Sequence, residues 1–359
     1  LYGEGGDDLI ALVGTAANGF NQQEVGGGNS NVVDFGSGDG ASPGSFVAPT
    51  PSLPPLTQIT RNDPMALASL PTGPDVDGLW RELAGSASGA GLSGGMGLAV
   101  EPAVAADALG RPVVAWADAR NGNFEIYVLR HDGSAWQMLG ASALGGGVSA
   151  TAGSSRQPSL TFAADGSPVV AWVETTGSQS NVRVARFDAT ANAGAGAWVA
   201  LGSSLSAGGI SNTGSVSEVQ LVNTSAGLAA LWLDDASGTV QVFGRRFDGA
   251  NWVALGAGST SGGGISGAAS DVSELSVATD GVRVAVGWTQ TVSGHQQVFA
   301  KQYDAGVWFG MSGSASGNGV SDSSGNSRAS TLAYAGGTLY MVWQDMEDGF
   351  QNLRGERYS

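Results

Sequence analysis

Four carboxylates and one amide hold a single repeated position in this 359-residue chain. Asp118, Glu174, Asp234, Gln290 and Asp345 each follow a tryptophan by two residues. A carboxylate at the end of a buried strand can act as a general acid, a general base or a hard oxygen ligand. Glycoside hydrolysis needs more than that: two carboxyls in unlike surroundings, one of them with a raised pKa. Acids at equivalent points of a repeat have like surroundings, which points to turn capping. A multivalent ligand or cation site and catalysis are the alternatives. A second candidate set is the serine of a recurring Gly-aliphatic-Ser triplet: Ser93, Ser149, Ser211, Ser266 and Ser321. With strands ordered inner to outer, these loops reach the same rim as the acids. Five loops beside five turns would make a ring of similar shallow pockets for a sugar or other small ligand. The loops contain no Trp or Tyr to stack on a sugar ring, so the aliphatic residue also reads as a plug between blades.

Other chemistries lack their residues. The chain has no Cys, two His, 15 Lys+Arg against 31 Asp+Glu, and a net charge of −16. Thiolate zinc sites, thiol nucleophiles and multi-His metal centres are excluded. The charge opposes binding to a phosphate backbone, so no nucleic-acid partner is expected. No run approaches 18 apolar residues, so no membrane span is expected. No phosphate loop or dinucleotide fingerprint stands between a strand and a helix. His131 occupies a position that other repeats fill with Phe or Tyr, which is a packing position.

The elements that must position these residues emerge from the ten Trp. Trp80, Trp136, Trp198, Trp252 and Trp308 recur at steps of 56, 62, 54 and 56. Trp116, Trp172, Trp232, Trp288 and Trp343 recur at steps of 56, 60, 56 and 55. The repeated unit runs W-x-x-L-G, a Gly/Ser loop, then three strand signals separated by Gly, Asp and Asn turns. Pro112-Val113-Val114-Ala115-Trp116 reads as a strand buried on both faces, and Glu125-Ile126-Tyr127-Val128-Leu129 as a half-buried one. Four short strands per unit are the signature of a β-propeller blade. The fold expected is therefore all-β: a five-bladed β-propeller of four-stranded blades over residues 80–359. The last unit stops before its W-x-x-L-G strand, and Trp80-Arg81-Glu82-Leu83 is a spare copy. That spare strand is expected to close the ring as the outer strand of blade five, the alternative being an open array of stacked sheets.

Residues 1–79 lack the repeat. Eight of the twelve Pro lie within 43–74, so 43–79 reads as a semi-rigid linker. Ahead of it, the Gly/Asp-rich segment 1–42 contains Gly3-Glu4-Gly5-Gly6-Asp7-Asp8-Leu9. This resembles one turn of the RTX nonapeptide, whose parallel roll binds calcium. The resemblance implies a calcium site at Gly3, Gly5 and Asp7; an ordinary Gly-Asp turn is the alternative.

The segment Asp118 to Val128, reading D-x-x-x-G-N-x-E-I-Y-V, resembles the strands of TolB-type propellers. The longer repeat is closer to propeller repeats in large bacterial surface and secreted proteins, often near calcium-binding repeats. This resemblance implies the fold and an extracellular or cell-surface location. The expected function is a non-catalytic recognition, adhesion or assembly module. Its expected partner is a cell-surface glycan, a protein or copies of itself. The alternatives are a propeller lectin or a five-bladed-propeller glycoside hydrolase using acids such as Asp118, Glu174 and Asp345.

Overall fold

A computed structural model describes residues 81–95, 97–347 and 349–359. The segments 1–42 and 43–79, with the calcium positions Gly3, Gly5 and Asp7, lie outside the described residues. Two units divide the chain, residues 1–79 and Trp80–Ser359.

The second unit is all-β, and its five antiparallel sheets are the five blades. Sheet 1 contains β1 (Ala99–Ala106), β2 (Pro112–Asp118), β3 (Glu125–His131) and β4 (Trp136–Met138). Sheet 2 contains β5 (Ser154–Phe162), β6 (Pro168–Thr176), β7 (Gln179–Asp188) and β8 (Ala197–Ala200). Sheet 3 contains β9 (Val216–Thr224), β10 (Gly227–Asp234), β11 (Gln241–Phe247) and β12 (Trp252–Ala254). Sheet 4 contains β13 (Val272–Thr279), β14 (Val284–Val292), β15 (His295–Asp304) and β16 (Val307–Phe309). Sheet 5 has three strands, β17 (Ser327–Ala335), β18 (Thr338–Asp345) and β19 (Asn352–Tyr358). Strands pair in chain order within each sheet, and the first strands of successive sheets pack on one another.

The two Trp columns do different work. The column at the end of each second strand is core: Trp116, Trp172, Trp232, Trp288 and Trp343 are 4% exposed or less. Each of the last four faces the preceding sheet; Trp232, for example, packs against Val169, Ala171, Val182 and Val184 of sheet 2. The column on the fourth strands ties one sheet to the next. Trp198, Trp252 and Trp308 donate their indole N–H to the carbonyls of Leu139, Leu201 and Leu255 at 3.0, 3.0 and 2.5 Å. Each also packs on the aromatic residue opposite it: Phe187, Phe247 and Tyr303, at 5.7, 5.5 and 5.3 Å between ring centroids. His131 holds that position in sheet 1, edge-on to Trp136 at 5.3 Å.

A serine locks three of the four turns that follow a fourth strand. Ser142, Ser204 and Ser314 accept a hydrogen bond from the N–H of Leu139, Leu201 and Met311 and donate to the carbonyls of Val128, Val184 and Ala300. Ser204 is fully buried. Removing its hydroxyl orphans the Leu201 amide and the Val184 carbonyl together, so Ser204→Ala is expected to cost about 1–3 kcal/mol. Urea denaturation followed by far-ultraviolet circular dichroism measures it.

Among the described residues no strand latches the ring; the closing strand expected from Trp80-Arg81-Glu82-Leu83 begins at a residue outside them. Among the described residues, no strand pairs with the outer edge of β19. Four apolar clusters fill the four junctions between successive sheets, and none of them joins sheet 5 to sheet 1. The end sheets show the consequence in their exposure. Ile126, Val182, Val242 and Val298 on the third strands of sheets 1 to 4 are 0% exposed, whereas their equivalent Leu353 on β19 is 77% exposed. The blades therefore form an open arc, and no described residue covers the far side of either end.

Candidate functional site

The side chains of the two candidate rows are engaged with the protein itself. Each triplet serine from the second copy onward caps the third strand of its own sheet. Ser149, Ser211, Ser266 and Ser321 accept the amides of Ile126, Val182, Val242 and Val298 at 2.8, 3.1, 2.9 and 3.0 Å. They donate in turn to Glu125, Asn181, Gln241 and Gln297. The aliphatic residues Val148, Ile210, Ile265 and Val320 fill the gaps between sheets. Ser93 in the first copy meets the rim through its carbonyl, which accepts from Arg120 at 2.7 Å.

The acid column is likewise internal. Asp118 is 0% exposed; it accepts from Trp116 Nε1 at 3.2 Å and from the Arg120 amide at 2.9 Å, and pairs with the Arg120 guanidinium at 2.6 Å. Asp234 accepts from Trp232 Nε1 at 3.2 Å, from the Ala236 amide and from the Thr213 hydroxyl. Glu174 pairs with Arg183 at 3.2 Å. Asp345 accepts from Ser327 and the Glu347 amide and pairs with Arg354. Gln290 pairs in register with Val272 across sheet 4. Burial pushes the Asp118 carboxyl up, but hydrogen bonds from Arg120 and Trp116 outweigh it and hold the group below the ordinary range. Asp345 is lowered in the same way, with Ser327 and the Glu347 amide overcoming burial. A depressed carboxyl stabilises the fold above its unfolded pKa, about 4, and that contribution is lost as pH falls through the folded value. Stability is therefore expected to fall steeply below about pH 4. Asp118→Asn should flatten that slope in chemical denaturation measured as a function of pH.

A second row of acids, not picked out from the sequence, lies on the inner strands. Glu101, Gln157, Glu218, Glu274 and Ala329 stand at equivalent points of β1, β5, β9, β13 and β17. β1, β5, β13 and β17 break register there in a β-bulge, and β9 does so one residue earlier, at Ser217, with Glu218 still opposite Leu233. Glu101, Gln157, Glu274 and Ala329 take positive φ of 55°, 54°, 58° and 52°, a left-handed conformation uncommon outside glycine. Bulges re-aim side chains, and here each acid turns toward the following sheet. Glu101 accepts the Gln157 amide at 2.7 Å and pairs with Arg156 at 2.7 Å. Glu218 accepts the Leu275 amide at 3.2 Å. Glu274 accepts the Ala329 amide at 2.7 Å and the Thr289 hydroxyl at 2.6 Å.

The three carboxyls have unlike partners. Glu101 has a cation, and Glu274 has two hydrogen-bond donors. Glu218 is half-buried with one long amide bond; burial first, and then the negative charge of Glu274, raise its pKa, outweighing the Leu275 amide. A carboxyl with a raised pKa near one held by donors is the arrangement that acid–base hydrolysis uses. The signal in the sequence was an acid 14 or 15 residues before the second Trp: 116 − 101 = 15, 232 − 218 = 14, 288 − 274 = 14. Replacing Glu274 with Gln removes the like charge, and the Glu218 titration midpoint is expected to fall. A carboxyl carbon NMR titration reads that shift, and an unmoved midpoint would show that the two groups do not interact.

Among the described residues, no group of three or more His, Cys, Asp or Glu is arranged to hold a metal ion, and no helix is long and apolar enough to cross a membrane.

No protein-family model matches the sequence, and no curated protein does. Solved structures do. An α-L-arabinanase of Penicillium chrysogenum in complex with arabinobiose is 13% identical, with 71% of this chain and 80% of that chain covered and a TM-score of 0.41. A GH93 α-L-arabinofuranosidase of Fusarium graminearum is 12% identical over 73% of this chain and 80% of that one, with a TM-score of 0.42. TolB from Acinetobacter baumannii is 14% identical over 73% of this chain and 56% of that one, with a TM-score of 0.36. The expectation of a non-catalytic recognition, adhesion or assembly module without enzyme activity is corrected here. The similar structures include glycoside hydrolases. The physical reason lies in the placement of the acids: those of the rim repeat in register, as scaffold does, while the unlike carboxyls sit on the inner strands.

Proposed function

We propose that this chain is a glycan hydrolase whose proton donor is Glu218 and whose second carboxylate is Glu274. The observation that carries the reading is the pair of carboxyls on neighbouring inner strands, β9 and β13, in unlike surroundings. Glu218, with its raised pKa, delivers a proton to the glycosidic oxygen as the bond to the anomeric carbon breaks. Glu274, fixed by the Ala329 amide and the Thr289 hydroxyl, supplies the negative charge that a developing oxocarbenium ion requires. Glu101, fixed by Arg156 and the Gln157 amide, stands at the equivalent point of sheet 1 as a third carboxylate. Acting on polysaccharide places the protein outside the cell, where such substrates are met.

The test is reducing-sugar release from a panel of polysaccharides that includes arabinan, the substrate class of the similar structures. Release from at least one of them is expected, with activity falling as pH rises through the raised Glu218 value. No release across the panel between pH 4 and 8, the span in which carboxyl acid–base pairs work, would sink the proposal.

A further inference from the structure

The two ends of the arc carry the two halves of one more sheet-to-sheet junction. At each internal junction, a fourth strand pairs with the third strand of its sheet, its Trp packs on the aromatic residue opposite, and the loop after it lies on that third strand. In sheets 1, 3 and 4 the register pairs His131, Phe247 and Tyr303 with Trp136, Trp252 and Trp308, and in sheet 2 Phe187 with Trp198. The loops then dock by Val148, Ile210, Ile265 and Val320 donating to the carbonyls of Ile126, Val182, Val242 and Val298 at 2.6–2.9 Å.

Sheet 5 has the receiving half without the inserted one. Tyr358 holds the aromatic position, and Leu353, the site for the loop, is 77% exposed. Phe350 beside it is 76% exposed. Where the Trp would stand there is a cleft of about 340 Å³ lined by Met311, Val320, Leu339, Met341 and Tyr358. Met311 is the counterpart of Leu139, Leu201 and Leu255, whose carbonyls accept the indole N–H at the other junctions.

The opposite end carries an inserted half in its sequence. The sequence runs Trp80-Arg81-Glu82-Leu83 and then Gly91-Leu92-Ser93, a complete fourth strand and loop. The Leu83 carbonyl already accepts Trp136 Nε1 at 2.8 Å, as Leu139 accepts Trp198. Its loop, however, lies on no third strand. A Cβ on Gly147, Gly209, Gly264 or Gly319 would meet a third-strand carbonyl oxygen at 1.9–2.3 Å, whereas one on Gly91 would meet only the oxygen of Ser86, at 3.5 Å.

We propose that residues 80–93 of a second copy of this chain complete sheet 5, joining copies head to tail. The register of the internal junctions then sets Trp80 of one copy opposite Tyr358 of the other, and Arg81 opposite Arg357. A contact between unlike ends of this kind is heterologous and builds closed rings or open filaments. It also covers an edge strand that would otherwise remain free to pair. The occupant is a second copy because one end carries in its sequence the strand and loop that the other end lacks, and because sheets 1 and 5 share no apolar cluster within one copy. This inference stands on the end sheets and does not depend on the hydrolase reading.

The chain has no Cys, so Arg81→Cys with Arg357→Cys introduces one clean pair. On oxidation, non-reducing electrophoresis is expected to show a ladder of dimers and longer species. A single fast-migrating monomer, the mark of a link within one chain, would overturn the proposal, as would a protein that forms no link. Sedimentation velocity of the unsubstituted chain should show mass rising with concentration, and Leu353→Glu should abolish the rise while leaving the circular dichroism spectrum intact. Leu353 is exposed in the free arc, so that substitution removes docking without emptying a core. Assembly undiminished by Leu353→Glu would also refute this interface.

Discussion

Glu218→Gln is expected to lower glycan hydrolysis by about 10²–10⁴-fold, the range over which a positioned general acid contributes. The amide matches the carboxyl in size and still accepts from the Leu275 amide, but it has no acidic proton to deliver. The same substitution should stabilise the fold at neutral pH. The sign follows from linkage: a carboxyl whose folded pKa is raised costs stability as pH rises from its unfolded value up through the raised one, because the unfolded state loses its proton first. Gln has no charge to bury, so the variant's stability should stop declining in that range. Activity is measured on the polysaccharide that the parent protein cleaves, and stability by urea titration at two pH values. A variant that keeps its activity would remove Glu218 from the mechanism. Lost activity with lowered stability at every pH would mean that the residue is only structural. Gain in stability with loss of activity is the pattern of a site where function holds a group in unfavourable surroundings.

Trp232→Ala is expected to cost about 3–5 kcal/mol, as large-to-small aromatic substitutions in cores do. Trp232 is 2% exposed and fills the junction between sheets 2 and 3. Its N–H also satisfies the buried carboxylate of Asp234 at 3.2 Å. Truncation therefore opens a cavity at the middle of the arc and takes a donor from a group that is 0% exposed. Each sheet is held by its neighbours alone, as in repeat architectures where stability is a sum of repeat and interface terms. Weakening this central junction should thus split one unfolding transition into two. Trp136→Ala, at a partly exposed position of the first sheet, should cost less and leave the transition single. Denaturation followed by circular dichroism distinguishes the two variants. A loss below about 1.5 kcal/mol for Trp232, the scale of a volume-conserving core swap, would mean that the junctions do not rest on this Trp column.

The blades were legible because every internal junction repeats the same contacts. One Trp column packs on the preceding sheet and the other donates to the turn that ends that sheet, so both recur along the chain, and the two columns use all ten Trp. The triplet Gly147-Val148-Ser149 and its copies were legible for the same reason: the glycine allows close approach to a third-strand carbonyl, the aliphatic residue plugs the gap, and the serine caps an amide. Asp118, Asp234 and Asp345 could be read as turn acids from their shared position alone. His131 could be placed as a packing residue because the four other repeats carry Phe or Tyr there.

The inner row was not legible. Its members are Glu, Gln, Glu, Glu and Ala, and shorter turns between the first and second strands shift their spacing from 15 to 14 residues before the second Trp. What separates Glu218 from Glu101 and Glu274 is surroundings drawn from different sheets: one burial site, one arginine, one hydroxyl. Closure was not legible either, for a related reason. Trp80-Arg81-Glu82-Leu83 carries every mark of a fourth strand, and that is a local property. Whether it reaches β19 of its own chain depends on the angle gained at each of four junctions, and small rotations add up along the arc. The sequence by itself determined the number of blades, their strand order and the side chains that bind each to the next, because those contacts are local and repeated. Only the tertiary structure decided which carboxyls meet and whether the two ends do, because both depend on how far each packed sheet turns from the one before it.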